Sequence, residues 1–214
     1  MNKRTLVINI FKVIIILSAV IGVILNSLAA DEHFKQFAYF TLQSNILVAV
    51  VYALTFCKFS KNRIFLLIKN QATVAIVLTG IVFNLMLRPY LTGYDYNPNT
   101  ISDFLVHVLT PILVLLEFIL FSEHGFIKRF DPLYWLTFPF IYWVFTIVFV
   151  AFGGNFNTEN YQSDYPYFFL NFQENGILWF LLVLVFIVLT GYLLYFLDRK
   201  LVKNKDGGLK DGSL

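Results

Sequence analysis

The fold class this sequence predicts is an all-α integral membrane bundle of six transmembrane helices, with both termini cytoplasmic. Two observations predict it. Of the 214 residues, 58% are hydrophobic and only 14% are charged, whereas soluble domains carry about 25% charged residues. The apolar residues also gather into six stretches, each close to the ~20 residues that a bilayer span needs. Abundant rings (25 Phe, 12 Tyr and 3 Trp) suit the same setting, because Tyr and Trp favour membrane interfaces. The length fits one transmembrane domain over residues 1–198, followed by a basic, Gly-containing tail over 199–214 that reads as flexible.

The spans fall near residues 5–29, 37–57, 64–87, 101–122, 133–153 and 174–197. The first follows Lys3 and Arg4 and imitates a secretory signal, but its apolar run from Thr5 to Ala30 outlasts the usual 7–15-residue core of one. It is read as retained, with Lys12 snorkelling to the surface. Lys58, Lys61 and Arg63 separate the second span from the third. Arg88-Pro89 is read as the end of the third, and Asn97-Pro98-Asn99 as a turn before the fourth. Asp131-Pro132 opens the fifth, with Pro132 in the first helical turn, and Gly153-Gly154-Asn155 closes it.

Orientation follows from the basic residues. Lys3 and Arg4, the group Lys58, Lys61 and Arg63, the pair Lys128 and Arg129, and the tail residues Arg199, Lys200, Lys203, Lys205 and Lys210 all fall on one side. Lys35 and Arg88 alone fall on the other. Both termini are therefore expected in the cytoplasm of a multi-pass cell-membrane protein. The loop from Gly154 to Gln173 then faces outward. It is too aromatic for a plain linker, and its second half is expected to pack over the bundle mouth as a lid.

The net charge of +3 suits contact with anionic lipid at one face and gives no case for nucleic acid. Cys57 is the sole cysteine, which excludes an internal disulfide and a thiolate metal cluster. The chain shows no strong internal repeat of the kind inverted-repeat transporters carry.

Two polar residues stand out inside apolar runs, Thr41 and His107. A titratable group within a span is costly and marks a functional site by default, and a hydroxyl beside an imidazole makes a nucleophile and its base. With both spans entering from outside, Thr41 is expected about 6 Å and His107 about 9 Å below the outer end. Thr41, Ser44 and Asn45 share one helical face, as do Asp103, His107 and Thr110. Asp103 is placed to orient the imidazole. Asn45 and Asn84 are candidate oxyanion donors, though Asn in such helices is commonly interhelical glue. Glu117 is expected to pair with a basic group or reach the interface. His33 and His124 are expected to be solvated in loops. His107, Asp103 and Glu117 spread along one helix and do not read as a metal site.

The segments Tyr39-Phe40-Thr41-Leu42-Gln43-Ser44-Asn45, Asn84 to Pro89, His107-Val108-Leu109-Thr110-Pro111, Asp131-Pro132-Leu133-Tyr134-Trp135 and Tyr165-Pro166-Tyr167-Phe168-Phe169-Leu170 together carry a resemblance. In their order and spacing the chain resembles the androgen-induced and androgen-dependent family of six-helix membrane proteins, in particular its bacterial branch. Eukaryotic members are threonine hydrolases that cleave fatty acid esters of hydroxy fatty acids with an intramembrane Thr and His. The resemblance places these on Thr41 and His107, and it departs from the eukaryotic pattern at Gln43-Ser44-Asn45. What it implies is a hydrolase of lipid (fatty acyl) esters, with no metal or organic cofactor and with membrane lipids as its surroundings and source of substrate. The rival reading is a non-enzymatic membrane protein, a small transporter or assembly scaffold, in which the polar stripe lines a path or joins helices.

Overall fold

The computed structural model describes residues 2–30, 35–58, 62–91, 97, 100–157, 163–172 and 176–208, with the main chain alone at 90, 91 and 203–208. Every regular element among them is helical. Five helices are long and apolar enough to cross a membrane: α1 (Lys3–Leu28), α3 (Arg63–Leu87), α4 (Ile101–Phe121), α5 (Asp131–Ala151) and α6 (Gly176–Gly208). The sixth apolar helix, α2 (Phe40–Leu54), has only 15 residues.

Local chemistry sets most of the ends. Asn2, Asn62 and Thr100 stand before α1, α3 and α4 and accept from main-chain N–H groups of the first turn. Pro132 occupies the first turn of α5. Gly153, at φ +86°, ends that helix, and the N–H groups of Gly153 and Gly154 cap Val150 and Phe149.

Three expectations change. The second span is shorter than the predicted 37–57, because residues 35–38 tighten into a 3₁₀ turn and the main chain turns after Leu54. Thr41 is consequently the second residue of α2 and not a full turn inside it. Arg88-Pro89 does not end the third helix. The main chain widens into a π-helical stretch at Val82–Leu87 and stays helical through Arg88–Leu91. At the other end α6 runs through the start of the predicted tail as far as Gly208. The residues from 209 onward, His33, Lys61, Pro98 and Asn99 lie outside the described residues.

Helices α1 to α4 form a ring in which α1 touches α2 and α4, and α3 touches α2 and α4. Ile15, Val48, Tyr52, Ile76 and Val114 fill its centre. Helices α5 and α6 pack against the outer side of α3, around Trp135, Ile187 and Leu194. The distribution of polarity is inverted relative to a soluble protein. Leu6, Leu17, Ile24, Ile141, Leu181 and Leu189 face outward, while Ser18, Ser44, Asn45, Asp103, His107 and Glu117 are buried. Lipid solvates the first set at no cost, and the second finds partners only inside the bundle.

Glycine allows a close helix approach. A Cβ at Gly80 would meet Pro111 Cβ at 3.1 Å and His107 O at 3.2 Å. This contact draws α3 and α4 together where the polar residues lie.

Candidate active site

The site begins with a defect in α4. At Leu105–Leu109 the helix is π-wound, and the Thr110 N–H bonds Leu105 O. Val106 O thereby loses its α-helical donor, and its π-helical donor would be Pro111, which has no N–H. Pro111 equally denies His107 O its α-helical partner. Buried main-chain carbonyls require donors, and two side-chain amides supply them. Asn45 Nδ2 donates to Val106 O (3.2 Å) and to Thr41 O (2.8 Å). Asn84 Nδ2 donates to His107 O (3.0 Å) and to Gly80 O (2.8 Å). Two asparagines thus clamp the main chain at the very residues that carry Thr41 and His107.

The clamped geometry brings those side chains together. Thr41 Oγ1 lies 3.2 Å from His107 Nε2. Phe83 stacks on the imidazole, with ring centroids 3.5 Å apart and planes within 7°, which fixes the ring plane. Asp103 Oδ1 is 3.4 Å from Nδ1. That contact is long for a hydrogen bond, and Nδ1 makes no well-formed bond to a described residue. Asp103 is itself held by Thr100, whose hydroxyl donates to Oδ2 (2.8 Å) and accepts from the Asp103 N–H (3.2 Å). A carboxylate beside Nδ1 favours the tautomer with its proton there, leaving Nε2 as the acceptor facing Thr41.

Asn45 and Asn84 therefore orient the site. Both hydrogens of each amide are spent on main-chain carbonyls, and neither amide has a donor left to offer an oxyanion. Ser44 is also engaged, donating to Thr41 O (3.0 Å) and pairing with Thr79 Oγ1 (2.8 Å). Thr110 pairs with Ser18 Oγ at 2.8 Å.

Thr41 stands in the wall of a cavity of about 420 Å³ bounded by α2, α3, α5, α6 and the loop before α6. Apart from Thr41, Thr79 and Thr137 and the two phenols of Tyr142 and Tyr167, its lining is apolar. The loop packs over the Thr41 end of the bundle. Phe169 and Leu170 are buried, and the Tyr167 ring lies 6.1 Å from Tyr39 and 6.4 Å from Tyr142. Burial pushes the Tyr167 phenol up to about 12, against the pull of the Thr41 hydroxyl, the N–H groups of Thr41 and Phe40, and the Tyr142 hydroxyl. Tyr167 is therefore protonated at neutral pH. The Tyr142 hydroxyl is buried and makes no well-formed hydrogen bond to a described residue. Among 12 tyrosines nothing in the sequence singles these two out, although Tyr167 sits in the Tyr-Pro-Tyr segment of the loop.

Glu117 meets the expectation of a basic partner, and the partner is Lys69, a lone basic residue inside the third span. Lys69 Nζ lies 3.0 and 2.9 Å from the two carboxylate oxygens. His124 is not a solvated loop residue. Its ring is buried with Nδ1 3.3 Å from Asp198 Oδ1, because Asp198 also accepts from the N–H groups of Gly125 and Ile127 and folds the loop over it. No cluster of three or more His, Cys, Asp or Glu suited to a metal occurs among the described residues.

Fold and site together define a class: an all-helical bundle of membrane-spanning type, with a half-buried threonine beside a buried histidine at the edge of an apolar cavity. No protein-family model, curated protein or solved structure matches the chain.

Proposed function

We propose that this chain is an intramembrane threonine hydrolase of lipid acyl esters. The observation that carries the reading is the 3.2 Å contact of Thr41 Oγ1 with His107 Nε2 at the wall of a 420 Å³ apolar cavity. A ligand cavity of a few hundred Å³ with few convergent polar groups is the ordinary form of a small-molecule site, and its lining suits hydrocarbon.

In the proposed reaction Thr41 Oγ attacks the ester carbonyl carbon while its proton passes to His107 Nε2. The carbonyl π pair moves onto oxygen and gives a tetrahedral oxyanion. Collapse re-forms the carbonyl and breaks the bond to the leaving alkoxide, which takes the proton from His107 and departs as the alcohol. Water, deprotonated by the same imidazole, then attacks the acyl-threonine, and a second collapse releases the carboxylic acid and returns the proton to Thr41. Asp103 supports the imidazolium formed in each half. The resemblance to the androgen-induced and androgen-dependent family supports the same pair and the same class of substrate.

The test is hydrolysis of long-chain acyl esters by purified protein in detergent, beside Thr41→Ala. Turnover by the wild type with loss in Thr41→Ala supports the reading. Full activity in Thr41→Ala refutes the nucleophile, and a wild type inert toward a broad ester panel favours the transporter or scaffold reading. We further infer from the basic residues that both termini and the loops at Lys58 and Lys128 are cytoplasmic. Reporter fusions after Lys210 and near Tyr161 check this, and an external C-terminus overturns it.

A further inference from the structure

A tetrahedral oxyanion beside Thr41 needs hydrogen-bond donors, and the asparagines have none to spare. We propose that the hydroxyls of Tyr142 and Tyr167 are the oxyanion donors of this site, one brought by α5 and the other by the loop that covers the cavity. This inference rests on the threonine-hydrolase reading.

Three observations converge. First, Tyr142 is 5% exposed, its hydroxyl lacks a well-formed partner, and it lines the same cavity as Thr41. A buried hydroxyl that makes no well-formed bond keeps hydrogen-bonding capacity, and binding a transient anion would use it. Second, Tyr167 lines the cavity together with Phe40 and Thr41, its ring 6.1 Å from that of Tyr39. Phe40 and Thr41 belong to the first turn of α2, where Tyr39 provides no side-chain cap and helix-terminal amides favour negative charge. Third, the two phenols neighbour each other, with ring centroids 6.4 Å apart. Phe40 holds the Tyr142 ring edge-on at 5.1 Å, and Phe169 stacks on Tyr167 at 5.1 Å. Rings fixed in this way present their hydroxyls at no cost of reorganisation when charge develops, which is the condition for a large electrostatic effect.

The assignment also gives the loop a chemical role. A donor carried on the cover completes the site only when the cover is seated. Bulk water would then be kept from the cavity while the acyl-threonine forms.

The experiment compares wild type, Tyr142→Phe, Tyr167→Phe and Thr41→Ala on a long-chain acyl p-nitrophenyl ester. It also measures inhibition by a long-chain trifluoromethyl ketone, which forms a tetrahedral adduct, and by the matching secondary alcohol, which cannot. Phenylalanine keeps each ring and its packing. Each Tyr→Phe variant is expected to lose about 10²–10³ in kcat with little change in KM, and to lose ketone affinity in parallel while alcohol affinity stays. A kcat within twofold of wild type in either variant, with Thr41→Ala inactive, overturns the donor assignment for that tyrosine and leaves the threonine reading standing. A fall in which the ketone and the alcohol weaken alike marks a packing role and also overturns it. A wild type without turnover, or Thr41→Ala as active as wild type, overturns the threonine reading and this inference with it.

Discussion

The bundle buries two polar clusters, and they are built on opposite terms. In the first, Glu117 accepts from Lys69 through both oxygens, from Tyr52 at 2.9 Å and from Ser122 at 3.1 Å, while Lys69 also reaches Ser122 at 3.0 Å. Every polar side-chain atom of that cluster has a partner. The second, around Thr41 and His107, contains Asn45 Oδ1, His107 Nδ1 and the Tyr142 hydroxyl, all buried and all without a well-formed hydrogen bond to a described residue. The first cluster lies among packed helices, whereas Thr41 and Tyr142 of the second stand in the wall of a cavity. A satisfied network specifies how helices dock. An unsatisfied hydroxyl in a cavity wall, as at Tyr142, retains bonding capacity for something that arrives there.

The largest effect that can break this contrast is on activity. If the open cluster is catalytic, Thr41→Ala and His107→Ala each lower ester turnover by about 10²–10⁴, and the double variant falls little further, since members of one catalytic unit are not additive. Fluorescence-monitored thermal unfolding in the same detergent should show both variants folded. Full additivity of the two losses would mean that the residues act separately.

The closed cluster should answer in stability instead. Glu117→Leu or Lys69→Met strands a buried charge and is expected to cost about 3–5 kcal/mol, whereas the pair replaced together should recover most of that loss. Equilibrium unfolding measures both. Recovery of stability together with unchanged turnover sharpens the contrast, and a catalytic loss in the stable double variant would erase it.

Smaller still is the asparagine clamp. Asn84→Leu leaves His107 O without its donor and should cost about 1–3 kcal/mol. Adding Pro111→Ala restores an N–H to that carbonyl and should return part of the stability. No rescue would show that Asn84 acts through some other contact. At the bottom of the scale, Ser18→Ala removes one bond between α1 and α4 and should cost about 0.6 kcal/mol, a common value for hydrogen bonds between membrane helices. A loss several times larger would make that bond part of the site's framework.

Much of this was legible along the chain. Hydropathy located the six apolar segments, since burial in lipid imposes length and apolarity on each span independently of its neighbours. Thr41, His107 and Asp103 could be named because a polar residue in such a segment is conspicuous, and helical spacing put Asp103 on the face of His107. Lys69 escaped notice because a single basic residue does not interrupt an apolar window, and its partner Glu117 lies 48 positions away. The early end assigned at Arg88-Pro89 failed because a π-helical stretch precedes the proline and the helix continues beyond it.

By itself, then, the sequence determined the all-helical class, the apolar segments and the residues able to do chemistry, because these depend on local composition and period. Only the tertiary structure decided that Thr41 meets His107, 66 positions apart, and that the two asparagines serve main-chain carbonyls and not a substrate. It also placed Tyr142 and Tyr167, from another helix and a loop, in the wall of the cavity that Thr41 lines. Such pairings depend on how helices rotate and slide against one another. That is set where Gly80 lets α3 approach Pro111 and where α4 winds open, and no segment read alone contains it.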